Sequence, residues 1–405
     1  MRLLYVHERF GALGGAEANI LATATEMKRR GHTLAILHGA STEHEQDLWR
    51  DTFAERFALP PHGAVPSVRA ALLGFRPDLV FVHKMPDIDV LDALTRSTAP
   101  VIRMVHDHDL YCMRGYKYHP LTREICTHAA SFRCVFPCAA MVARDRSGGF
   151  PVQWVSYTAK LREIALNQKF ARVLVASTYM KDELLRNGFT PARIEIHPPV
   201  PRSVEAGANP SFGPANRIVY AGQILRGKGV DILLEALALV REPFECLVIG
   251  DGSHRRYCEQ LCRSLGLEER VTFTGFIPQA AIAEHYAEAT IALMSSVWPE
   301  PFGAVGLEAM RHGLPVIAFD AGAIREWLVD GWNGFLVPWM DRERYAAGVE
   351  ELLRDKLLAR KMGEHGRQWV GERFNFEAYI DGLEDLFTRV SGTVGRSLAR
   401  SAVPA

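Results

Sequence analysis

Short apolar runs alternate with amphipathic segments of helix length along most of this chain. Apolar runs bounded by turn residues are typical of strands buried on both faces, and helices between them predict parallel β–α units. In the first half, strands are predicted at residues 3–6, 33–37, 79–82, 101–105 and 173–176, with helices at 16–30 and 160–169. In the second half, strands are predicted at 217–221, 246–249, 271–273, 291–294, 316–319 and 335–337, with helices at 230–240, 254–265, 303–311 and 344–358.

This alternation is interrupted by a stretch rich in Pro, Gly, Ala and Asn, which is typical of a linker. The pattern therefore predicts two doubly wound, Rossmann-like α/β domains of similar size. Their predicted bounds are residues 1–200 and 217–373, with a linker at 201–216, a C-terminal helix at 374–390 and a disordered tail at 391–405. Ligands of doubly wound sheets bind outside the carboxyl ends of the strands, so we expect them in a central cleft that the two domains face.

Composition and charge argue against several other classes of protein. The 405 residues carry 47 Lys and Arg against 47 Asp and Glu, so no bulk charge indicates a nucleic-acid partner. The apolar run at residues 3–6 is too short for a signal peptide, and no apolar run reaches the about 18 residues of a membrane span. Seven cysteines favour reduced thiols over a secreted disulfide framework. We expect a cytoplasmic protein, with peripheral contact at the inner membrane face as an option.

The most informative run is Pro-Glu-Pro-Phe-Gly-Ala-Val-Gly-Leu-Glu-Ala-Met at residues 299–310. It predicts a helix with Pro301 at the first position, where a missing N–H costs nothing, Glu300 just before it and Glu308 in its second turn. The backbone N–H groups of Phe302 and Gly303 would then face outward with the positive end of the helix. Two carboxylates beside such a helix end suit a polyol joined to a phosphate, as in a nucleotide sugar.

A glycine-rich turn at residues 11–17 follows the first strand and opens a helix. It lacks the G-x-G-x-x-G spacing of dinucleotide-binding proteins, so it does not predict a nicotinamide or flavin cofactor. Gly14 and Gly15 can still bring backbone N–H groups close to a phosphate or a hydroxyl, although the turn could also be a tight turn with no ligand.

A second glycine-rich turn, at residues 222–229, spells G-x-x-x-x-G-K. A P-loop then requires Ser or Thr to hold magnesium, and this chain has Gly229 there, which excludes the ATPase and GTPase interpretation. Arg226 and Lys228 on this turn can neutralise a diphosphate. The alternative is two solvated basic side chains.

Two further segments follow predicted strands. The turn of Gly250, Asp251 and Gly252 can line a nucleotide site, but ordinary turn chemistry explains it equally well. His106 follows the strand at 101–105, where ligands bind in this architecture. It can donate to a sugar hydroxyl or carry a proton, or it can be an ordinary solvated loop histidine.

Cysteines and basic residues are concentrated in one irregular segment. A structural zinc could hold this segment together, but the spacing lacks paired C-x-x-C units, and reduced buried thiols are the alternative. Its basic excess could meet a lipid-linked diphosphate or a membrane surface, or be an ordinary solvated loop. The cysteines are Cys112, Cys126, Cys134 and Cys138, and the basic residues are Arg114, Lys117, Arg123, Arg133, Arg144 and Arg146.

With these motifs in this order, the chain resembles the retaining glycosyltransferases of family 4, also called group 1 glycosyltransferases, which have the GT-B fold. The matching segments cover nearly the whole chain. They are GGAE, RRGHTL, HDHDLYC, YAGQILRGKGVDILLEAL, LVIGDGS, VTFTGFI, SSVWPEPFGAVGLEAMRHGLPVIA and VDGWNGFLV. The resemblance implies that the C-terminal helix crosses back onto the N-terminal domain.

The resemblance also implies roles for the motif residues of the second domain. Glu308 should bind the donor ribose, and Glu300, with the backbone of Phe302 and Gly303, should hold the hydroxyls of the transferred sugar. Lys228 matches the lysine that contacts the donor diphosphate. The accompanying arginine of the family would align with Gln223, so the chain departs from the family there, and Arg226 is the candidate that could compensate.

In the first domain, the resemblance implies that His106 approaches the donor sugar and that Gly14 and Gly15 lie near the diphosphate and the acceptor. Glu300, His106 and Lys228 are thus the predicted catalytic residues. The turn at 250–252 joins the predicted donor-binding residues.

The implied reaction moves a sugar from a UDP- or GDP-sugar to a hydroxyl of a sugar, lipid-linked or small-molecule acceptor, with retention of configuration. It would serve the biosynthesis of a polysaccharide, glycolipid or other glycoconjugate. Lys228, Arg226 and backbone N–H groups would stabilise the departing diphosphate, so we expect no cofactor and no divalent ion besides the nucleotide-sugar co-substrate. The alternatives are a nucleotide-sugar epimerase on the same fold and a non-catalytic nucleotide-sugar-binding subunit. The sequence leaves the donor, the acceptor and the oligomeric state open.

Overall fold

The computed structural model describes residues 1–11, 14–42, 44–144, 152–201, 210, 212–213 and 215–401. The chain divides into two compact units. Unit 1 comprises Met1–Gly115, Thr127–Arg202 and Phe376–Ala405, and unit 2 comprises Tyr116–Cys126 and Ser203–Asn375. Of the predicted linker, residues 202–209, 211 and 214 lie outside the described residues.

Unit 1 is built around a parallel sheet whose strands are joined by helices. Its strands are β1 (Arg2–Phe10), β2 (Thr33–Ser41), β3 (Glu55–Ala58), β4 (Leu79–Val82), β5 (Val101–Val105), β6 (Val142–Arg144), β7 (Val152–Trp154), β8 (Arg172–Val175) and β9 (Ile194–Ile196). Its first six helices are α1 (Gly15–Arg29), α2 (Gln46–Thr52), α3 (Val65–Phe75), α4 (Ile88–Leu94), α5 (Tyr157–Asn167) and α6 (Thr178–Arg186).

Seven of these strands form one sheet in the order β3-β2-β1-β4-β5-β8-β9, and every pairing within it is parallel. Strands β4 and β5 are buried along their whole length, because their apolar side chains point to helices on both faces. The short strands β6 and β7 pair with each other in antiparallel fashion. The sequence pattern missed β3 and β9, which are short and only partly buried strands at the two edges.

Unit 2 repeats this architecture with a second parallel sheet in the order β12-β11-β10-β13-β14-β15. Its strands are β10 (Arg217–Ala221), β11 (Glu245–Ile249), β12 (Val271–Gly275), β13 (Ile291–Met294), β14 (Val316–Phe319) and β15 (Gly334–Val337). Its helices are α7 (Val230–Leu237), α8 (Arg255–Ser264), α9 (Gln279–Glu288), α10 (Ala304–Arg311), α11 (Arg342–Arg354) and α12 (Lys356–Arg373). The prediction of two doubly wound, parallel α/β domains is confirmed.

The predicted helix at 344–358 is wrong, because the chain forms two helices there. Asp355 leaves the helical conformation, with φ of −105° and ψ of 86°, and α11 ends before it. Its carboxylate then accepts hydrogen bonds from the backbone N–H groups of Leu357 and Leu358, which caps the start of α12.

The last helix, α13 (Phe376–Ser401), belongs to unit 1. Its fully buried Ile380 and Phe387 join the core of this unit, and Arg30 of unit 1 donates to Asp381 at 2.6 Å and Glu384 at 2.9 Å. The helix continues to Ser401, so the prediction of a disordered tail from residue 391 is wrong over 391–401, and residues 402–405 lie outside the described residues. Among the described residues, no helix combines the length and the apolar character that crossing a membrane requires.

Candidate functional site

Lys228 and Glu300 form an ion pair in unit 2, with 2.7 Å between Lys228 Nζ and Glu300 Oε1. The Glu300 side chain is nearly buried, whereas 21% of the Lys228 side chain is exposed. The two residues are 72 positions apart in the sequence. Lys228 lies beyond the carboxyl end of β10 and Glu300 beyond that of its neighbour β13, which is where ligands of doubly wound sheets bind.

The Glu300 carboxylate is held by three donors that all contact Oε1. Besides Lys228, these are the Ser296 hydroxyl and the Trp298 indole N–H, which lies at 3.0 Å. Burial alone would raise the pKa of Glu300, but the Lys228 charge and the three hydrogen bonds outweigh burial and lower it. Glu300 is therefore ionised at neutral pH. Ser296 and Trp298 were not among the predicted site residues.

The backbone of Glu300 is fixed against the segment that follows β14. Glu300 N–H donates to the Ala321 carbonyl at 3.1 Å, and Ala323 N–H donates to the Glu300 carbonyl at 2.9 Å. Between them, Gly322 has φ of +72°, and a Cβ there would lie 2.5 Å from Glu300 N. This contact requires glycine, and it leaves the Glu300 carboxylate little freedom to move with its backbone.

The turn that carries Lys228 is fastened to the segment before Glu300. Val297 and Trp298 N–H both donate to the Gly227 carbonyl, at 2.9 and 3.1 Å, and the Ser295 hydroxyl donates to the Lys228 carbonyl at 2.9 Å. Gly229 has φ of +66°, and a Cβ there would clash with the Ser295 carbonyl oxygen. Gly229, the residue that excludes a P-loop, is thus required by packing.

Helix α10 begins at Ala304, so the prediction that Pro301 occupies its first position is wrong. Gly303 precedes the helix with φ of +84°, a left-handed conformation that only glycine adopts readily, and this turn displaces Pro301 from the helix. The Trp327 indole donates to the Phe302 carbonyl at 2.6 Å. Glu308 is in the second turn of α10, as predicted.

Glu308 lies close to the ring of Tyr286 and to Arg311. Burial raises the pKa of Tyr286, and the charge of Glu308 raises it further. Burial lowers the pKa of Arg311, and Glu308 partly offsets that effect. The Glu308 carboxylate therefore stabilises the charged form of Arg311 in the same helix.

The two glycine-rich turns of unit 2, at residues 222–229 and 250–252, are in direct contact with each other. A Cβ on Gly250 would clash with the Gly222 carbonyl, and a Cβ on Gly252 would clash with the Ile224 carbonyl, so both positions require glycine. Asp251 is not available as an unpaired carboxylate, because Arg255 donates to Oδ2 at 3.1 Å and Gly252 N–H to Oδ1 at 2.7 Å.

Arg226 and Gln223, the two candidates for the second cation near the diphosphate, have other surroundings. The Arg226 guanidinium donates to the backbone carbonyls of Pro120 and Leu121, the latter at 3.4 Å. Gln223 is exposed, and its carbonyl accepts a hydrogen bond from the Tyr220 hydroxyl at 3.1 Å. Lys228 is thus the cation in contact with Glu300.

In unit 1, Gly14 is the residue that precedes α1. Gly14 N–H donates to Glu17 Oε2 at 3.0 Å, and the other oxygen of Glu17 lies 3.1 Å from His7 Nε2. Burial raises the pKa of Glu17, but the hydrogen bond and charge of His7 outweigh it and bring the pKa to about 2. A Cβ on Gly15 would meet no atom within 4 Å, so packing does not require glycine there.

His106 contacts a second histidine that the sequence analysis did not single out. His106 Nε2 lies 2.8 Å from His83 Nδ1, and the two rings stack with their centres 5.2 Å apart. Burial lowers the pKa of His106 to about 4, so the ring is neutral at pH 7. The following residue, Asp107, accepts from Lys84 Nζ at 2.9 Å, and Asp109 pairs with the same lysine.

The four cysteines of the predicted zinc cluster are not assembled into a metal site. Among the described residues, no group of three or more His, Cys, Asp or Glu side chains is arranged to hold a metal ion. Cys126 belongs to unit 2, whereas Cys112, Cys134 and Cys138 belong to unit 1. None of the four forms a disulfide in the described part of the chain, and all four side chains are partly buried.

Two family models match the chain, one over each half. The family described as Glycosyltransferase Family 4 matches residues 13–200, and the family described as Glycosyl transferases group 1 matches residues 203–369. Together they cover most of both units and include all the predicted catalytic residues, whereas β1 and α13 lie outside the matched ranges.

Curated relatives match over part of the chain. An uncharacterized glycosyltransferase of Methanocaldococcus jannaschii is 30% identical over 162 residues, which are 40% of this chain and 41% of the relative. The alpha-D-kanosaminyltransferase of Streptomyces kanamyceticus is 31% identical over 176 residues, which are 43% of this chain and 45% of that enzyme. The chain thus spans less than half the length of these curated relatives.

Solved structures match along nearly the whole chain. The Anabaena protein Alr3699/HepE, in complex with UDP and glucose, has a TM-score of 0.72 at 20% identity and covers 96% of this chain and 100% of its own. Sucrose-phosphate synthase from Thermosynechococcus elongatus has a TM-score of 0.72 at 18% identity and covers 97% of this chain and 99% of its own. At these identities the likeness concerns the fold, and the predicted GT-B class is confirmed.

Proposed function

Because this chain belongs to the group 1 glycosyltransferases of family 4, we propose that it transfers a sugar from a nucleoside-diphosphate sugar to a hydroxyl of an acceptor. The observation that carries this proposal is the pair of Lys228 and Glu300 beyond the carboxyl ends of two adjacent strands. A partly exposed ammonium beside a buried, ionised carboxylate offers a donor for phosphate oxygens next to an acceptor for sugar hydroxyls.

Each donor group has a proposed partner in unit 2. Lys228 contacts the diphosphate, and the turn of Gly250, Asp251 and Gly252 lines the nucleotide site beside it. Glu300, with the backbone of Phe302 and Gly303, holds the hydroxyls of the transferred sugar, and Glu308 binds the ribose. For Arg226 we propose an indirect role, because its guanidinium already donates to two backbone carbonyls.

In the proposed reaction the bond between the anomeric carbon and the β-phosphate oxygen breaks, and its electron pair stays on the diphosphate. The acceptor oxygen forms a bond to the same carbon from the same face, so the anomeric configuration is retained. The acceptor proton passes to the departing phosphate oxygen. Lys228 stabilises the negative charge that grows there, and Glu300 stabilises the positive charge on the sugar ring.

We propose that this charge stabilisation requires no divalent ion, since Lys228 can supply the positive charge at the leaving group. In unit 1 we propose that neutral His106 approaches the transferred sugar and that Gly14 and Gly15 approach the diphosphate and acceptor. The nucleotide is a uridine or guanosine diphosphate. Two relatives support a role in glycoconjugate biosynthesis: a GDP-mannose-dependent phosphatidylinositol monomannoside mannosyltransferase of Mycobacterium tuberculosis and a lipopolysaccharide core biosynthesis glycosyltransferase of Rhizobium meliloti.

We also propose that unit 1 contacts a membrane surface peripherally. Phe132, Phe136 and Trp154 are between 67% and 75% exposed, although they are large and aromatic. Arg133, which lies between the two phenylalanines in the sequence, is exposed too. Aromatic rings with an arginine suit the headgroup region of an anionic bilayer. Sedimentation with phosphatidylglycerol vesicles should carry the protein down, and the double variant Phe132→Ser, Phe136→Ser should stay in the supernatant. Equal sedimentation of both proteins would contradict this contact.

The transfer reaction is tested by replacing each member of the pair. Glu300→Gln removes the charge while keeping the shape, and Lys228→Met removes the cation. Each should lower kcat/KM for the donor by about 10²–10³-fold, the range typical of groups that stabilise transition-state charge. The matched control is Glu245→Gln, which breaks an exposed carboxylate–arginine pair at the amino end of β11 and should leave kcat/KM unchanged.

The outcomes separate the proposal from its alternatives. Purified protein is offered UDP- and GDP-sugars with and without simple glycoside acceptors, and the anomeric configuration of any product is measured by NMR. A retained glycoside supports the transferase. Interconversion of nucleotide sugars without transfer would indicate an epimerase, and tight donor binding with neither transfer nor hydrolysis would indicate a binding subunit. Full turnover in both variants would remove Lys228 and Glu300 from the site.

A further inference from the structure

A short segment from the first half of the sequence belongs to unit 2. Residues Tyr116–Cys126 are part of this unit, although the chain on either side of them, up to Gly115 and from Thr127, belongs to unit 1. The segment folds back on itself: Tyr118 and Ile125 form an antiparallel bridge, and Cys126 N–H donates to the Lys117 carbonyl at 2.7 Å. We call it the 116–126 hairpin.

The tip of the 116–126 hairpin is anchored by a buried ion pair. Arg123 donates through both terminal nitrogens to the two carboxylate oxygens of Asp231, at the start of α7, and both side chains are less than a tenth exposed. Arg123 has φ of +66°, a left-handed conformation that a non-glycine residue adopts only when its surroundings demand it. A bidentate arginine–carboxylate pair fixes orientation as well as distance.

The same hairpin covers the turn that carries Lys228. Arg226 donates to the carbonyls of Pro120 and Leu121 at the hairpin tip. Gly227 lies between two rings, so that a Cβ there would be 3.0 Å from the Trp298 ring and 3.2 Å from the Tyr118 ring. The hairpin thus contacts Arg226 and Gly227, the two residues that precede Lys228.

The hairpin also reaches the residue that holds Glu300. The Tyr116 ring stacks on the Trp298 ring, with centres 6.3 Å apart and planes inclined by 27°. The Trp298 indole donates to Glu300, and Lys228 Nζ lies 5.0 Å from the centre of the Trp298 ring. Trp298 is therefore the side chain through which the hairpin contacts both charges of the pair.

We propose that the 116–126 hairpin is a positioning element of the donor site and that Arg123 is its positioning residue. The hairpin packs against Gly227 and Trp298. These two residues in turn set the orientation of the Lys228 ammonium and of the Glu300 carboxylate. This role rests on the proposed function, because it assigns a task within the same donor site. Arg226 holds the hairpin tip. This role explains why its guanidinium donates to two backbone carbonyls of the tip and does not extend into solvent.

The test compares Arg123→Lys and Arg123→Gln/Asp231→Asn with the wild type. The first variant keeps the charge and loses the bidentate geometry, and the second replaces the ion pair by neutral groups, which avoids an unpaired buried charge. We expect kcat/KM for the donor to fall about 10- to 100-fold in the double variant, because small displacements of catalytic groups cost that much. Donor binding, measured as KM and as the dissociation constant of UDP and GDP, should change less than kcat.

Two controls separate positioning from general destabilisation. Leu352→Ala leaves a cavity in the core of unit 2 without changing any residue of the hairpin or of its ion pair, and it should lower stability while kcat/KM stays within about twofold. In a Lys228→Met background, the Arg123→Gln/Asp231→Asn change should cost clearly less than in the wild type, because part of its effect acts through Lys228 and only the part that acts through Glu300 remains. Independent, multiplicative losses would overturn the proposed route through Lys228.

Hydrogen exchange tests the positioning role of the hairpin without enzyme activity, and so applies even if the protein turns over no nucleotide sugar. Hydrogen exchange of the full chain should become faster in the Arg123→Gln/Asp231→Asn variant at residues 116–126, 226–230 and 296–300, and remain unchanged at these positions in Leu352→Ala. Unchanged exchange at 226–230 would overturn the positioning role. Absence of turnover in the wild type, with the expected exchange pattern, would instead contradict the proposed function.

Discussion

Burial sets the protonation of the His83–His106 pair. His83 Nε2 is buried and has no hydrogen-bond partner among the described residues, and an unpaired buried N–H is costlier than an unpaired acceptor. The proton of His83 therefore belongs on Nδ1, which donates to His106 Nε2 at 2.8 Å. This assignment fixes the tautomer of His106, whose own proton is on Nδ1.

The pKa of His106 predicts a loss of stability in mild acid. The pKa is about 4 in the folded state and 6.5 as the ordinary value, so the folded state favours the neutral ring. This contribution is fully present above pH 6.5 and is lost as the pH falls from 6.5 through 4, by on the order of 3 kcal/mol. In urea titrations, wild-type stability should fall across this window by about that much more than in His106→Asn. Parallel pH profiles would contradict the burial of a neutral His106.

Single residues of the site were predictable where they belong to a dense motif. Glu300 and Lys228 were predicted from their positions after strands, and the structure brings them together across 72 residues. The sequence analysis missed Ser296, Trp298 and His83, because their roles depend on side-chain contacts that do not affect the hydrophobic periodicity of the sequence. For Trp298 a signal was present but not used, since a partly buried indole N–H favours a nearby acceptor and Glu300 is two residues away.

At the scale of one element, the position of α10 depends on a glycine inside it. A Cβ on Gly306 would lie 2.6 Å from Met294 Sδ and even closer to the Trp327 ring. Gly306→Ala should lower stability by about 1–3 kcal/mol through overpacking and move Glu308, which follows on the same helix. The control is Gly371→Ala in α12, where nothing lies within 4 Å, and it should stabilise by about 0.5–1 kcal/mol. Urea unfolding measures both, and equal effects would refute the packing argument.

Helix α13 is a second element whose contribution can be measured. Phe387 is fully buried, and its ring meets the Phe81 ring edge-on with centres 5.0 Å apart, whereas the adjacent Thr388 is exposed. Phe387→Ala should destabilise unit 1 by about 3–5 kcal/mol, and Thr388→Ala should stay within about 0.5 kcal/mol. Similar unfolding midpoints for the two variants in guanidinium would show that α13 does not complete the core of unit 1.

Buried strands were the most predictable elements, because a short, continuous apolar run is typical of a strand that is buried on both faces of a parallel sheet. Strands β4, β5, β10, β13 and β14 match the predicted ranges. Helix ends were less predictable, since they depend on single residues: Gly303 delays the start of α10, and Asp355 divides α11 from α12. Neither residue interrupts the hydrophobic pattern on which the prediction rested.

At the scale of the whole molecule, the order of motifs predicted two α/β domains, but it did not predict that a piece of the first half joins the second unit. The pairing of Arg123 with Asp231 spans 108 residues, and nothing in the composition of the 116–126 hairpin distinguishes it from a solvated basic loop. The sequence left two interpretations of its basic residues open, a surface for a lipid-linked diphosphate or a membrane and an ordinary solvated loop. Arg123 instead forms a buried ion pair, which only a three-dimensional structure can reveal.

The division into two units predicts where a nucleotide should stabilise the molecule. If the donor nucleotide binds unit 2, UDP or GDP at about 100 times its dissociation constant should stabilise that unit by about 2.7 kcal/mol. Hydrogen exchange should then slow at residues 222–229, 250–252 and 296–303, and Lys228→Met should weaken this protection. Because linkage stabilises only what the ligand binds, protection confined to residues of unit 1 would assign the nucleotide to the other sheet and contradict the role of Lys228. Protection by one nucleotide and not the other would identify the base of the donor.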